Sequence, residues 1–146
     1  MQNNPVEPVA NPAAARERAL SLANQARRQS GVPALRMSAA LNAAAQAHAE
    51  DMARRGFYNH RSPERQDVAD RYRAAGGGLW AAIGENIASC ISCTAGMGQV
   101  DAFQAQWIRS SGHRRNILDP RFSEFGFGMA AGGGRVYAVQ TFISRR

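Results

Sequence analysis

Lysine is absent from this chain of 146 residues, and all 18 of its basic side chains are arginine. The formal net charge is +7, and the arginines are spread from Arg16 to Arg146. No helix-turn-helix, zinc-finger or aromatic–basic stacking pattern accompanies them, so nucleic acid is not an expected partner. Two interpretations of the charge stay open. A GC-rich bacterial genome favours arginine by codon bias alone, and a positive surface also attracts anionic phospholipid or envelope polysaccharide.

Long apolar stretches are also missing from the sequence. No run approaches the ~18 residues needed to span a bilayer, so we expect no transmembrane segment. Met1 is followed by Gln2-Asn3-Asn4-Pro5, which has neither the basic nor the apolar region of a signal peptide, although a mature chain with an added Met would look the same. The composition, 45% apolar and 20% charged, is globular. We predict a flexible lead at residues 1–11 and one domain, expected to be monomeric, at residues 12–146.

Cysteine is scarce: only Cys90 and Cys93 are present, in a Cys-x-x-Cys arrangement. A structural zinc site needs a second pair of ligands, which the sequence lacks. A thioredoxin-like site needs a helix directly after a strand, whereas the segment 94–98 contains two glycines and follows instead. A local disulfide in an oxidising compartment and a pair of free thiols both remain. Such a disulfide closes so small a loop that its entropic gain is at most ~2 kcal/mol.

Capping residues, apolar spacing and breakers predict four helices. The first runs from Asn11-Pro12 to Gly31, the second from Ser38 to Gly56, the third from Ser62-Pro63 to Gly76, and the fourth ends at residues 110–112. Their predicted buried faces are Ala15, Ala19, Leu22 and Ala26, then Leu41, Ala45, His48 and Met52, then Val68, Tyr72 and Ala75, and finally Val100, Phe103 and Trp107.

The strands are predicted mostly from the last third of the chain. Residues 82–89 are compatible with a short strand, and residues 125–129 and 136–143 are strand-like. The connecting segment, residues 131–135, contains three consecutive glycines, which indicates a hairpin. Because helices come first and the hairpin last, the predicted class is α+β.

The three histidines have different settings. His48 lies on the apolar face of the second helix, where a packed structural role is expected. His60 lies in a loop between two predicted helices, and loops held by rigid elements often carry function. His113 follows Ser111-Gly112, a predicted turn after the fourth helix. His60 and His113 are therefore the candidate functional histidines.

Glu85, between Gly84 and Asn86, supplies a carboxylate from a third segment. Two neutral imidazoles and a carboxylate can bind a divalent cation, with His60 and His113 as metal ligands. A His–Glu pair can also move a proton, which makes Glu85 a candidate catalytic base. A solvated charge, or a carboxylate bonded to nearby backbone N–H groups, is the alternative for Glu85.

Several segments taken together resemble the CAP superfamily of cysteine-rich secretory, venom-antigen and pathogenesis-related proteins, in its bacterial secreted, SCP-like branch. The resemblance covers about residues 15–143. The segments that carry it are Leu41 to Met52, His60, Gly84-Glu85-Asn86-Ile87, Trp107, Gly112-His113-Arg114-Arg115-Asn116-Ile117-Leu118, Phe122 to Gly128 and Tyr137 to Phe142.

The resemblance implies a three-layer α-β-α sandwich with a small antiparallel sheet between helices. It also implies a cleft that holds two histidines and two acids in animal members. His60, His113 and Glu85 match three of them, but Ser110 stands where the second acid is expected, so the tetrad is incomplete. Asn86, Ser110 and Ser111 are then expected to support the cleft. A secreted or periplasmic location, and pairing of the two cysteines, are implied as well.

Three functions compete on these grounds. The first is a secreted binding module whose His–Glu–His cleft takes Zn²⁺ or another divalent cation, a small or lipid-like extracellular ligand, or both. The second is a metal-dependent hydrolase acting on a peptide or envelope bond, with Glu85 as base. Against it, the chain has no His-Glu-x-x-His helix and no clear third protein ligand. The third is an arginine-rich adhesion module for anionic surfaces, such as an envelope polymer.

Overall fold

A computed structural model describes residues 3–145 of the chain as five helices and a four-stranded sheet. The helices are α1 (Pro12–Gln29), α2 (Ala39–Arg55), α3 (Val68–Ala74), α4 (Met97–Arg109) and α5 (Ser111–Leu118). The strands are β1 (Arg36–Met37), β2 (Trp80–Ile91), β3 (Glu124–Gly132) and β4 (Arg135–Arg145). No helix in this described range combines the length and apolar character needed to cross a membrane.

The sheet has the order β1-β3-β4-β2. The three long strands are antiparallel, and only the two-residue β1 pairs parallel, with β3. β3 and β4 form the predicted hairpin, which turns at Gly133 and Gly134; both have positive φ, which suits glycine. The α+β class is confirmed, and the sheet is mixed because of β1.

Helices cover both faces of the sheet, as a three-layer sandwich requires. On one face, side chains of α1, α4 and α5 pack with Val136 and Ala138 of β4. On the other face, α2 packs with Tyr137 and Val139, the intervening residues of the same strand. Successive side chains of a strand point to opposite faces, so β4 serves both cores. Every residue of β3 is buried for the same reason.

The second helix agrees with its prediction in full: Ser38 caps it, Gly56 ends it, and its four predicted buried residues are buried. The buried face of α1 is corrected. It runs with a spacing of four through Ala15, Ala19, Ala23 and Arg27. Leu22 and Ala26, which were predicted to lie on it, are only partly buried beside it. The apolar spacing predicted the wrong face because one of the buried residues, Arg27, is charged.

One predicted boundary is wrong, and one helix was not predicted. The third helix begins after Asp67, not at Ser62-Pro63, because Asp67 and Asp70 form a reciprocal capping box. Residues 62–66 form a turn in which Arg65 has a positive φ of 69°, which a helix does not allow. The fourth helix does end before Ser110, but a fifth helix begins at once at Ser111. His113 therefore lies on a helix and not in a turn.

Cys90 and Cys93 form a disulfide at the far end of β2, as the resemblance implied. The segment before α1 is hydrogen-bonded to the domain: the Asn4 N–H donates to the carbonyl of Arg54 at 2.6 Å, and the Glu7 N–H donates to that of Ala131 at 2.8 Å. The flexibility of residues 1–11 and the domain boundary at residue 12 stay predictions. Met1, Gln2 and Arg146, which belong to those predicted segments, lie outside the described residues.

Candidate functional site

His60 and Glu85 are in direct contact. His60 lies in the loop between α2 and α3, and its Nδ1 is 2.8 Å from Oε1 of Glu85, in the middle of β2. A carboxylate only accepts hydrogen bonds, so the Nδ1–H of His60 is the donor, and in the neutral form of the ring Nε2 carries the lone pair. The Glu85 side chain is only 3% exposed, whereas that of His60 is 55% exposed. The buried strand thus orients an imidazole that faces solvent.

Arg71 of α3 holds the other oxygen of Glu85. Its Nη2 donates to Oε2 of Glu85 at 2.7 Å and to the carbonyl of His60 at 3.0 Å, and its Nη1 donates to the carbonyl of Gln66 at 3.1 Å. The Arg71 side chain is 10% exposed, so this is a largely buried ion pair. Both carboxylate oxygens of Glu85 are therefore engaged.

The loop that carries His60 is held from several sides. His48 donates from Nε2 to the carbonyl of Asn59 at 2.7 Å, since that carbonyl can only accept. The Tyr58 hydroxyl donates to the carbonyl of Ile87 at 3.1 Å. The two residues just before His60 are thus tied to α2 and to β2, which restricts the position of the loop that carries the imidazole. His48 has the packed, structural role predicted for it.

His113 lies on α5, which two amide side chains fasten to β2. Asn86 donates from Nδ2 to the carbonyl of His113 at 3.0 Å and to Oε1 of Gln140 at 2.9 Å. Asn116 donates from Nδ2 to Oδ1 of Asn86 at 2.9 Å and to the carbonyl of Glu85 at 3.2 Å. The position of His113 therefore follows from the same strand that carries Glu85.

The ring of His113 is in a state suited to binding a cation. Its Nδ1 is buried and has no hydrogen-bond partner among residues 3–145. Burial lowers the pKa of the His113 imidazole, and the neighbouring His60 lowers this pKa further. A neutral imidazole is the form that ligates metals. Its unpartnered nitrogen is a buried polar group that a ligand or a proton donor would satisfy.

The remaining predicted site residues lie at the junction of α4 and α5. Ser110 is the last residue before α5 and its side chain makes no capping hydrogen bond, and Ser111 is the first residue of α5. Ser110 supplies no carboxylate in place of the second acid. Within residues 3–145, no group of three or more His, Cys, Asp or Glu side chains is arranged to hold a metal ion.

Sequence reasoning missed Arg71 and Asn116. A signal for Arg71 was available: it follows Val68 by three residues and precedes Ala75 by four, so it lies on the predicted inner face of α3. A charged residue on such a face needs a partner, and Glu85 is the buried carboxylate that supplies it. Asn116 is part of the segment that resembled the family, but its two acceptors are set only by the packing of α5 on β2.

We expect the stability of the protein to fall as the pH drops below about 6.5, the ordinary pKa of histidine. Burial lowers the pKa of His48, and the nearby Arg71 lowers it further, against the opposing carboxylates of Glu85 and Asp51. Below pH 6.5 the unfolded chain therefore binds a proton that the folded protein excludes, at a cost of up to about 1.4 kcal/mol per pH unit for each such group. This contribution is complete above pH 6.5 and is lost as the pH falls toward the lowered folded pKa.

Urea denaturation between pH 8 and pH 5 measures this dependence. His48→Gln should be less stable than the wild type at pH 8 but should lose less stability on acidification. The slope that remains is expected to come in part from His113, whose pKa is also lowered. Equal slopes in the wild type and in His48→Gln would show that His48 is not the group responsible.

Comparison with known proteins places the chain in a family. The profile of CAP, the cysteine-rich secretory protein family, matches residues 20–142. The uncharacterised protein YkwD of Bacillus subtilis is 30% identical over 117 residues, which cover 80% of this chain and 43% of that protein. An extracellular SCP-domain protein of Bacillus anthracis, solved as a crystal structure, has a TM-score of 0.77 at 26% identity and is matched over 95% of this chain and 45% of its own.

A third similar protein is NaASP2, whose crystal structure was solved with Zn²⁺. Its TM-score is 0.69 at 13% identity, over 92% of this chain and 82% of its own, which shows a shared fold. The chain spans less than half the length of the two Bacillus proteins that it matches. The family match includes His60, Glu85 and His113 and extends over most of the chain. The protein belongs to the cysteine-rich secretory protein (CAP) family.

Proposed function

We propose that this protein is a secreted binding module whose cleft holds a divalent cation, such as Zn²⁺, through Nε2 of His60 and the ring of His113. The observation that carries the proposal is the hydrogen bond from Nδ1 of His60 to Glu85. A carboxylate bonded to one ring nitrogen sets the tautomer and makes the other nitrogen a better ligand, as in carboxylate–histidine–zinc arrangements. Glu85 then acts as a positioning residue for His60.

The side chains present fit such a cation. Imidazole nitrogen is a good ligand for Zn²⁺, and the unpartnered, buried Nδ1 of His113 leaves that ring with bonding capacity to spare. Two protein ligands leave the other coordination positions to water or to a bound molecule. A cation there would polarise an oxygen of that molecule. We propose a small or lipid-like extracellular molecule, or an envelope polymer, as the ligand.

Two further observations support the proposal. NaASP2, which shares the fold, was crystallised with Zn²⁺. The Bacillus anthracis relative is an extracellular protein, and a disulfide such as Cys90–Cys93 persists in oxidising compartments, which supports secretion of this chain.

A binding role is favoured over metal-dependent hydrolysis because of how Glu85 is used. A general base needs a free oxygen within reach of a water molecule. Oε1 of Glu85 accepts from His60, Oε2 accepts from Arg71, and the side chain is only 3% exposed, so its remaining lone pairs have little access to a water molecule. The adhesion alternative has no comparable geometric support, since the arginines are distributed over the whole chain.

We expect His60→Ala and His113→Ala each to remove measurable Zn²⁺ binding, because each takes one of only two protein ligands. Isothermal titration with Zn²⁺ at pH 7.5 measures this. His60→Ala should change the free energy of unfolding by less than about 1 kcal/mol, since its ring is largely exposed. Binding to the wild-type protein should weaken below pH ~6.5, because a protonated imidazole is not a ligand.

Arg61→Ala is the matched control. Arg61 is exposed in the same loop, and its substitution should leave Zn²⁺ binding unchanged. If both histidine variants bind Zn²⁺ as the wild type does, the cleft is not the metal site. The adhesion function would then be the better hypothesis, to be tested by sedimentation with anionic vesicles.

A further inference from the structure

Arg71 places a positive charge directly behind the imidazole that faces the cleft. One guanidinium nitrogen, Nη2, bonds both to Oε2 of Glu85 at 2.7 Å and to the backbone carbonyl of His60 at 3.0 Å. The Glu85 carboxylate therefore sits between Arg71 on one side and Nδ1 of His60 on the other. The arginine therefore neutralises the carboxylate that bonds to His60.

We propose that Arg71 determines the cation affinity of the cleft and keeps it low by neutralising Glu85. This inference deepens the proposed function and rests on it for the identity of the ligand site. Arg71 is a positioning residue and not a ligand: it acts on the cation through Glu85 and His60. The cleft as built is thus tuned for weak, reversible binding of a divalent cation and not for a permanent structural metal.

The electrostatic reason is the low exposure of the pair. The Arg71 and Glu85 side chains are 10% and 3% exposed, so their charges are poorly screened by water and interact more strongly than surface charges do. An ionised carboxylate bonded to His60 increases the electron density that the ring offers to a cation. The Arg71 guanidinium reduces this increase in electron density, and its positive charge also repels an incoming cation. Removing it leaves a buried negative charge that a cation would compensate.

A second observation concerns the hydrogen bonds of the Arg71 guanidinium. Its Nε–H is buried and has no hydrogen-bond partner within residues 3–145, which is unfavourable for a guanidinium. Its other bonds are to Glu85 and to the backbone carbonyls of His60 and Gln66, that is, to the carboxylate and to the loop that carries the imidazole. These side-chain hydrogen bonds of Arg71 go either to Glu85 or to the loop that carries His60.

The test is Arg71→Gln, compared with Arg73→Gln. Arg73 lies on the same helix and carries the same charge, but its side chain is 73% exposed and pairs with Asp70. Titration with Zn²⁺ alone should show at least about tenfold tighter binding to Arg71→Gln, the size of effect that groups just outside a metal's ligands commonly have. Arg73→Gln should bind as the wild type does. The double variant Arg71→Gln/Glu85→Gln should lose the gain, because the negative charge is gone.

Thermal unfolding supplies an independent readout. Without Zn²⁺, Arg71→Gln should unfold at a lower temperature than the wild type, since it leaves Glu85 buried without its partner. Added Zn²⁺ should raise its unfolding temperature more than it raises that of the wild type, because a ligand that binds the folded state more tightly stabilises it more. A purely structural arginine would lower the unfolding temperature without this difference in response to Zn²⁺.

The outcomes separate this inference from the proposed function. If the wild type binds Zn²⁺ and Arg71→Gln binds it no more tightly, the inference is overturned and the proposed function stands. If the wild type shows no binding but Arg71→Gln binds in a manner that depends on His60, the inference stands and the proposed function of the wild-type cleft fails. Should Arg71→Gln not fold, it is refolded with Zn²⁺ present. Failure to fold even then would show that a cation cannot replace the guanidinium, which also overturns the inference.

Discussion

Gly128→Ala is expected to destabilise the protein by about 4 kcal/mol or more, a large part of the ~5–15 kcal/mol that stabilises a typical domain. Gly128 lies in β3 where the backbone of α2 crosses the sheet. A Cβ at this position would overlap the backbone N and Cα of Gln46 and would lie 2.6 Å from the carbonyl carbon of Ala45. Backbone atoms of a helix cannot move aside singly, so α2 as a whole would have to lift from the sheet.

Gly98→Ala is the matched control for this substitution. Gly98 is the second residue of α4, and a Cβ there meets no atom within 4 Å. Alanine at such a site should stabilise by up to about 1 kcal/mol through helix propensity. Guanidinium denaturation followed by circular dichroism compares the two variants with the wild type. A Gly128→Ala protein within about 1 kcal/mol of the wild type would mean that α2 can shift, and with it His48 and the His60 loop.

The elements that could be predicted from sequence are those whose signals are local and agree with one another. In α2, the cap, the apolar spacing and the final glycine all indicated the same helix, and the structure has it. In the hairpin, two strand-like segments flank consecutive glycines, and only the lengths of the strands were underestimated. Local agreement of this kind leaves little for tertiary contacts to change.

The wrong start of α3 and the missed helix α5 have different causes. Ser62-Pro63 has the residue types of a helix start. The helix nevertheless begins after Asp67, because Asp67 and Asp70 form a reciprocal capping box. The fifth helix was missed because the segment 110–112 has the composition of a turn. Its helical continuation is stabilised by contacts of Asn116 with Glu85 and Asn86, which are about 30 residues away in the chain. Such contacts leave no periodic trace in the sequence.

The site could be predicted as a set of residues but not as a network. The sequence pointed to His60 and Glu85, which the structure places in hydrogen-bond contact, and to His113 on the adjacent helix. It did not indicate that Arg71 holds the second oxygen of Glu85, because the choice of a partner for a buried carboxylate depends on how α3 packs against β2. What Glu85 can do chemically therefore depends more on its ion pair with Arg71 than on the short sequence motif in which it lies.

Substitution of Arg27 is the second change that is expected to lower stability strongly. Because Arg27 is charged, its burial could not be predicted from the apolar pattern of α1. It lies on the buried face of α1 and is 0% exposed. Its guanidinium donates to four backbone carbonyls, those of Pro33, Ile117, Asp119 and Phe122, at 2.7 to 3.0 Å. These carbonyls belong to the loop after α1, to the end of α5 and to the segment before β3. One side chain thus joins three segments, including the helix that carries His113.

Arg27→Met is expected to lower the free energy of unfolding by about 3–5 kcal/mol, because it leaves four carbonyls without their donor in a buried place. Burial lowers the pKa of Arg27, with Asp119 opposing, yet the group stays charged, and the carbonyls at the end of α5 carry the partial negative charge that favours a cation there. Arg28→Met, at the exposed neighbouring position, should change stability by no more than about 0.5 kcal/mol. Urea denaturation at neutral pH compares both variants. An Arg27→Met protein as stable as Arg28→Met would show that water or a local rearrangement satisfies the carbonyls, and that α5 is held in place by its amide contacts with β2 alone.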